Sequence, residues 1–192
     1  MRVLVACEFS GVVRDAFASL GHDAWSCDLL PSDRGGSHIQ GNVLDQLSSH
    51  WDIMIAHPPC THLAVSGAAH FHRKRKEQQD ALLFVTALLN APIEKICLEN
   101  PVSVISTRIR RPDQIIHPWM FGHMEQKTTC LWLKGLPRLI ETNNVKNEMM
   151  SLPKRERERL HYLGPSKDRW KLRSTTYQGI ANAMAEQWGK LQ

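Results

Sequence analysis

No stretch of this 192-residue sequence approaches the ~18 consecutive apolar residues of a membrane-crossing helix, so no helical membrane span is expected. The opening run Met1-Arg2-Val3-Leu4-Val5-Ala6 is too short for a secretory signal and reads as a first strand. Cysteine is sparse: Cys7, Cys27, Cys60, Cys97 and Cys130 are odd in number, dispersed, and contain no Cys-x-x-Cys pair. That argues against a disulfide framework and for a reducing, cytoplasmic compartment. His57, Cys60 and His62 cluster in sequence, with His70 and His72 downstream, but without the tighter paired spacing of zinc sites, so no metal is expected. There is no internal repeat and no low-complexity tract, and the length leaves no room for a second large domain.

Hydrophobic residues at 42% and charged residues at 22% describe a globular chain long enough to bury a core without staples. The formal charge of +5 is concentrated in one place. Ser151 to Arg173 holds eight basic residues against three acidic ones, and the remainder is balanced at 16 of each sign. A compact basic patch suits a polyanion such as nucleic acid; a solvated helix face is the alternative.

The pattern of elements predicts an α/β protein with a doubly wound, mostly parallel sheet. Arg2 to Ala6 is β-branched and apolar, and Val12 to Leu20 has helical spacing and stops at Gly21. Asp23 to Cys27 is a second strand ending at Asp28, and Pro31 to Ser37 is a polar loop. Further strands are expected at Asp52–Ala56, Ile93–Leu98 and Thr129–Leu133, and helices at Arg75–Leu89 and Tyr177–Leu191. In such sheets ligands bind at the carboxyl ends of the strands, which is where Phe9, Asp28, Cys60 and Glu99 fall.

Two segments carry chemistry. In Ala56-His57-Pro58-Pro59-Cys60, two prolines make a stiff turn after a buried strand and present Cys60 with little freedom, as a nucleophile requires. The other four cysteines read as structural. In Leu98-Glu99-Asn100-Pro101 a carboxylate ends a hydrophobic strand; half-buried, it is expected to have a raised pKa and to donate a proton near neutrality. A thiolate and a proton-donating carboxyl on neighbouring strands fit covalent attack on an electron-poor ring.

In these motifs, and in their order, the sequence resembles the DNA cytosine-5 methyltransferase family, in a compact, phage-like form. Phe9-Ser10-Gly11 is similar to the family's cofactor loop. Asp28 stands at the acidic residue that holds the ribose of S-adenosylmethionine, and Gly41-Asn42-Val43 resembles the element near the adenine. Pro59-Cys60 matches the Pro-Cys nucleophile, with Pro58 on its cofactor side, and Glu99-Asn100-Pro101 matches Glu-Asn-Val. Tyr177 to Met184 resembles the last cofactor-side element, with Asn182 at its asparagine. The resemblance implies a Rossmann-like class I methyltransferase fold with S-adenosylmethionine as cofactor. Catalytic roles fall on Cys60, Glu99, Pro59 and Asn100, and the substrate is duplex DNA with a flipped cytosine. Methylation of RNA cytosine and an inactive nucleic-acid-binding homologue are the alternatives.

The sequence departs from that pattern at Asn42, at Val13-Arg14, at Thr61 and at Gln126-Lys127-Thr128-Thr129-Cys130. The last stands where the family has Gln-x-Arg-x-Arg, so Lys127, or an arginine from elsewhere, must steady the base. After Cys60 comes a small-residue loop, then Arg73, Lys74, Arg75 and Lys76, suited to phosphates; a solvated helix start is the alternative. Residues 1–135 and 174–192 are expected to form the catalytic domain. Residues 136–173 form a reduced recognition insert whose Arg155, Arg159, Arg169, Lys171 and Arg173 contact DNA. So small an insert implies low or short sequence specificity, since phosphate contacts position without specifying. A monomer is expected.

Overall fold

The computed structural model describes residues 1–191. Seven strands form one sheet: β1 (Arg2–Ala6), β2 (Asp23–Asp28), β3 (His38–Gln40), β4 (Ile53–Ala56), β5 (Lys95–Asn100), β6 (Gln114–Ile116) and β7 (Thr129–Lys134). Their order is β3-β2-β1-β4-β5-β7-β6. Strands β1 to β5 are mutually parallel, while β7 runs antiparallel to both β5 and β6. This is the expected doubly wound α/β class, Rossmann-like in its order, with one reversed strand inserted near the edge.

Strand periodicity explains the two layers. In β1, Val3 and Val5 face one side and Leu4 and Ala6 the other, and all four are fully buried. The first side packs under α1 (Val12–Ser19) and α7 (Gln178–Trp188), with Val13, Phe17, Ile180, Met184 and Trp188 in one core. The second packs under α2 (Arg75–Leu89), with Val85 and Leu88 against Met54, Ile96, Leu98 and Trp132. Both faces are covered, which is why the central strands are apolar throughout instead of alternating.

Four short helices complete the chain: α3 (Ile105–Arg108), α4 (Lys146–Ser151), α5 (Lys154–Arg157) and α6 (Arg169–Ser174). The last two lie in the basic segment. Upstream of it, Leu139 already lies buried in the α1–α7 core. No described helix is long and apolar enough to cross a membrane.

Several boundaries differ from the sequence reading. Strands β3 and β6 were not expected: three residues each show too little of a period-two pattern, and they add to the sheet as edges. Strand β5 begins at Lys95, after Ile93, and extends through Glu99 and Asn100, so these two residues are strand, not loop. Helix α7 ends at Trp188 instead of Leu191. The small-residue segment after Cys60 is wound into 3-10 turns over Val65–Arg73.

The first turn of α7 docks directly on backbone. A Cβ at Gly179 would overlap the carbonyl oxygen of Phe121, and the Gly179 amide donates to His123 Nε2 at 2.9 Å. Gly179→Ala is therefore expected to cost about 3 kcal/mol through overpacking at rigid backbone. Urea denaturation followed by circular dichroism checks this, and a midpoint equal to that of the wild type would contradict it.

Candidate active site

The carboxyl ends of β4 and β5 meet because the strands pair in parallel with Ala56 opposite Leu98. The next residue on each strand is His57 and Glu99, and their side chains touch: His57 Nδ1 lies 3.2 Å from Glu99 Oε2. A carboxylate only accepts, so Nδ1 carries the proton and donates. The His57 amide donates to Ala6 O of β1 at 2.9 Å, and Asn100 Nδ2 donates to Pro58 O at 3.0 Å. The turn is thus fixed from both neighbouring strands. Beyond it the Cys60 carbonyl accepts from Leu63 and Ala64 amides at 3.0 and 2.8 Å. Pro58 is buried, whereas Pro59 and Cys60 are exposed. Cys60 is the one exposed cysteine of the five.

The electrostatics correct one expectation. Burial favours the neutral form of Glu99, whose side chain is 18% exposed, but the hydrogen bond from His57 and the charges of Lys127 and His57 outweigh it. The carboxyl is held below its ordinary value of 4.5 instead of being raised. His57 lies 42 residues away in sequence, so this contact was invisible without the strand pairing. Cys60 is shifted the other way. Crowding by the protein and the nearby Glu99 charge push its thiol up, and Lys127, its own backbone amide and Arg173 pull it partly back.

Lys127 and Arg173 therefore both stand close enough to Cys60 to act on its charge. Lys127 Nζ donates to Arg173 O at 3.2 Å and lies 5.8 Å over the Tyr177 ring. Arg173 belongs to α6, far along the chain from the Gln126–Cys130 stretch where the sequence lacks arginines.

A second group lies between β1 and α1. Gly11 has φ 71°, the left-handed conformation that glycine adopts without strain, and α1 starts there without a side-chain cap from Gly11. Glu8, 4% exposed, supplies the cap instead. It accepts from Val13 N at 2.7 Å, from Arg14 N at 3.2 Å and from Ser10 Oγ at 3.2 Å. Ser10 is thereby engaged internally. Arg14, 1% exposed, donates to Ser26 Oγ, Ser32 Oγ and Gly35 O and pairs with Asp15, tying the Pro31–Ser37 loop to α1.

Asp28 ends β2 beside this turn. Its Oδ1 accepts from Leu30 N at 2.9 Å, and its carbonyl accepts from Gly41 N. Asn42 Oδ1 caps the 3-10 turn Val43–Gln46 through Leu44 N. Asn182 is exposed on α7 and accepts from Gln178 Nε2 at 2.8 Å, without a hydrogen bond to the Phe9–Gly11 turn. Phe9 is buried, with Trp170 of α6 5.2 Å from it and Lys171 Nζ 5.7 Å over its ring.

The candidate phosphate contacts divide into two groups. Arg73, Lys74, Arg75, Lys76, Arg155 and Arg173 are exposed. Lys171 is paired with Asp33 at 2.6 Å, Arg159 with Glu125 at 2.9 Å, and Tyr177 OH donates to the other Glu125 oxygen at 2.8 Å. Arg169 is half-buried, with its Nε out of solvent. Among the described residues no group of three or more His, Cys, Asp or Glu converges as a metal site.

His57, Glu8 and Arg14 were missed as site residues. A histidine directly before Pro-Pro-Cys was the available signal for the first, and a carboxylate between a buried strand and a helix start was the signal for the second.

No protein-family model matches the chain, and no curated protein matches it. Among solved structures it is similar to a protein from E. coli described as a DNA modification methyltransferase encoded within a prophage. The identity is 13% and the TM-score 0.44, over 80% of this chain and 56% of that one. The chain thus spans little more than half of that protein's length.

The exposure of Cys60 and its raised pKa make a joint prediction. Iodoacetamide is expected to modify Cys60 before the other four thiols, at a rate still climbing as the pH passes 9.0, the ordinary thiol value. Lys127→Ala removes a favourable charge, raises the thiol further and slows the reaction at a given pH below that. Peptide mapping by mass spectrometry checks both; a rate that levels off near neutral pH would contradict the electrostatic picture.

Proposed function

We propose that the chain is an S-adenosylmethionine-dependent DNA cytosine-5 methyltransferase of low or short sequence specificity. The observation that carries this reading is the pairing of β4 with β5, which puts the Pro58-Pro59-Cys60 turn beside Glu99 and Asn100.

The β1–α1 turn fits such a cofactor better than a dinucleotide. At a helix N-terminus open to solvent, the free amides attract a phosphate. Here the Val13 and Arg14 amides already serve the Glu8 carboxylate, so a pyrophosphate would find its donors taken and a negative charge in place. A nucleoside that carries a sulfonium and no phosphate suits this donor set, with Asp28 available to accept from a ribose hydroxyl. When bound, S-adenosylmethionine would supply an electrophilic methyl group.

The protein's own groups do the rest. Cys60 sulfur forms a bond to C6 of cytosine, and the C5–C6 electron pair moves onto C5. Glu99 carries the proton that N3 receives, so that negative charge does not accumulate on the ring. In the free protein that proton sits on the Cys60 thiol while Glu99 is ionised, the reverse of what the attack uses. Passing the thiol proton to Glu99 and on to N3 balances the step without an external acid. After methylation the C5 proton is released to solvent, Cys60 departs as thiolate, and the N3 proton returns through Glu99 to that thiolate, which restores the ring and the resting protonation state. Lys127 and Arg173 take the place of the family's missing arginines in steadying the base. The exposed cations at Arg73–Lys76, together with Arg155 and the rest of the 136–173 insert, hold the phosphate backbone.

The test is transfer of a labelled methyl group from S-adenosylmethionine to duplex DNA, with RNA as competitor. Wild type is expected to label DNA in preference to RNA, Cys60→Ala to give no label, and Glu99→Gln to be slower by about 100-fold or more. Equal labelling by wild type and Cys60→Ala would overturn the covalent mechanism, and preferential labelling of RNA would overturn the substrate.

A further inference from the structure

His57 takes no part in the covalent step as described, yet it is the one hydrogen-bond partner of the Glu99 side chain among the described residues. Its ring is 9% exposed. Nδ1 is satisfied by Glu99, while Nε2 is buried and unpartnered. A buried imidazole with only one nitrogen satisfied is costly. The cost is concentrated at the carboxylate that the chemistry uses. The ring is also held from outside itself: its own amide is bonded to β1, and the next residue, Pro58, is bonded through its carbonyl to Asn100 of β5. Its orientation against Glu99 is therefore set by three adjacent strands.

The bond engages Oε2, and no protein donor among the described residues engages Oε1. We propose that His57 is the positioning residue for Glu99, fixing Oε2 through Nδ1–H so that Oε1 is presented to the N3 edge of the cytosine. The assignment deepens the methyltransferase reading and rests on it. The other titratable groups facing Glu99 are Lys127 from the segment before β7, Cys60 after β4, Cys97 on β5 and Cys130 on β7. None replaces His57: Lys127 spends its hydrogen bond on Arg173 O, and the thiols stay neutral beside the carboxylate.

The experiment compares wild type, His57→Ala and His57→Asn in single-turnover methyl transfer across pH, at saturating DNA and cofactor. Asparagine places a neutral donor near the position of Nδ1 without titrating. In His57→Ala the rate is expected to fall about 100-fold, as for a displaced catalytic group, with DNA affinity unchanged. The pH limb that Glu99 governs moves upward, because the carboxyl loses both a donor and a nearby positive charge. His57→Asn recovers the rate to within about tenfold of wild type. The imidazole nitrogen spectrum of wild type supplies a readout without turnover: the Nδ1 proton resonance shifts in Glu99→Gln.

Wild-type rate and pH profile in His57→Ala overturn the role, as does an Nδ1 resonance indifferent to Glu99→Gln. Equal losses of rate and of DNA affinity in both His57 variants overturn it too, since they mark a merely structural residue. A wild-type protein that transfers no methyl overturns the underlying reading instead, and is distinguished by failing before any variant is compared.

Discussion

Everything at the candidate site depends on one register: β4 against β5, with Ala56 opposite Leu98. Parallel pairing of two buried apolar strands is specified by packing on both faces, since a one-residue slip would send every side chain to the wrong layer. Once that register is set, the residues just past Ala56 and Leu98 have no choice of neighbour. His57 meets Glu99, and Asn100 meets Pro58. The two prolines then remove the remaining freedom before Cys60. A site built this way gains its precision from the core beneath it, not from contacts among its own polar groups.

The same logic explains the distribution of charge. Glu99 is ionised and Cys60 protonated in the free protein because His57 and Lys127 favour the carboxylate, and the carboxylate in turn disfavours a thiolate. At the β1–α1 turn the buried Glu8 carboxylate does for the helix what a bound phosphate does in dinucleotide-binding relatives of this sheet. It stabilises the helix start and at the same time removes the phosphate site. The basic segment is not a free arm: Trp170 and Lys171 lie against Phe9, and Arg159 is tied to Glu125. The part of the chain that carries the positive charge is thus mechanically joined to the β1–α1 turn.

Much of this was legible in the sequence. Fully buried strands read as apolar runs, and the faces of α1, α2 and α7 read as helical periodicity, because those signals are local and repeated. Pro-Pro-Cys was visible as a stiff turn after a strand because prolines encode it locally, whereas Glu99 and Asn100, read as the end of a strand, proved to lie within it. What escaped depended on distance. The edge strands β3 and β6 are defined by partners rather than by their own three residues. The lowered pKa of Glu99 comes chiefly from a histidine 42 residues away, with Lys127 adding to it, and the charge of Arg173 acts on the cysteine from α6, whose Trp170 and Lys171 lie by Phe9. Glu8 and Arg14 looked like ordinary charges because burial of a charge is not written in its own identity.

The most direct test of the central claim is covalent trapping on duplex DNA that carries 5-fluorocytosine, with S-adenosylmethionine present. The fluorine cannot leave C5 as a proton does, so a covalent catalyst stays bonded to the base. The account predicts a protein–DNA adduct stable to denaturant, with digestion and mass spectrometry placing the link on Cys60. An absent adduct, or one attached to any other residue, would contradict it.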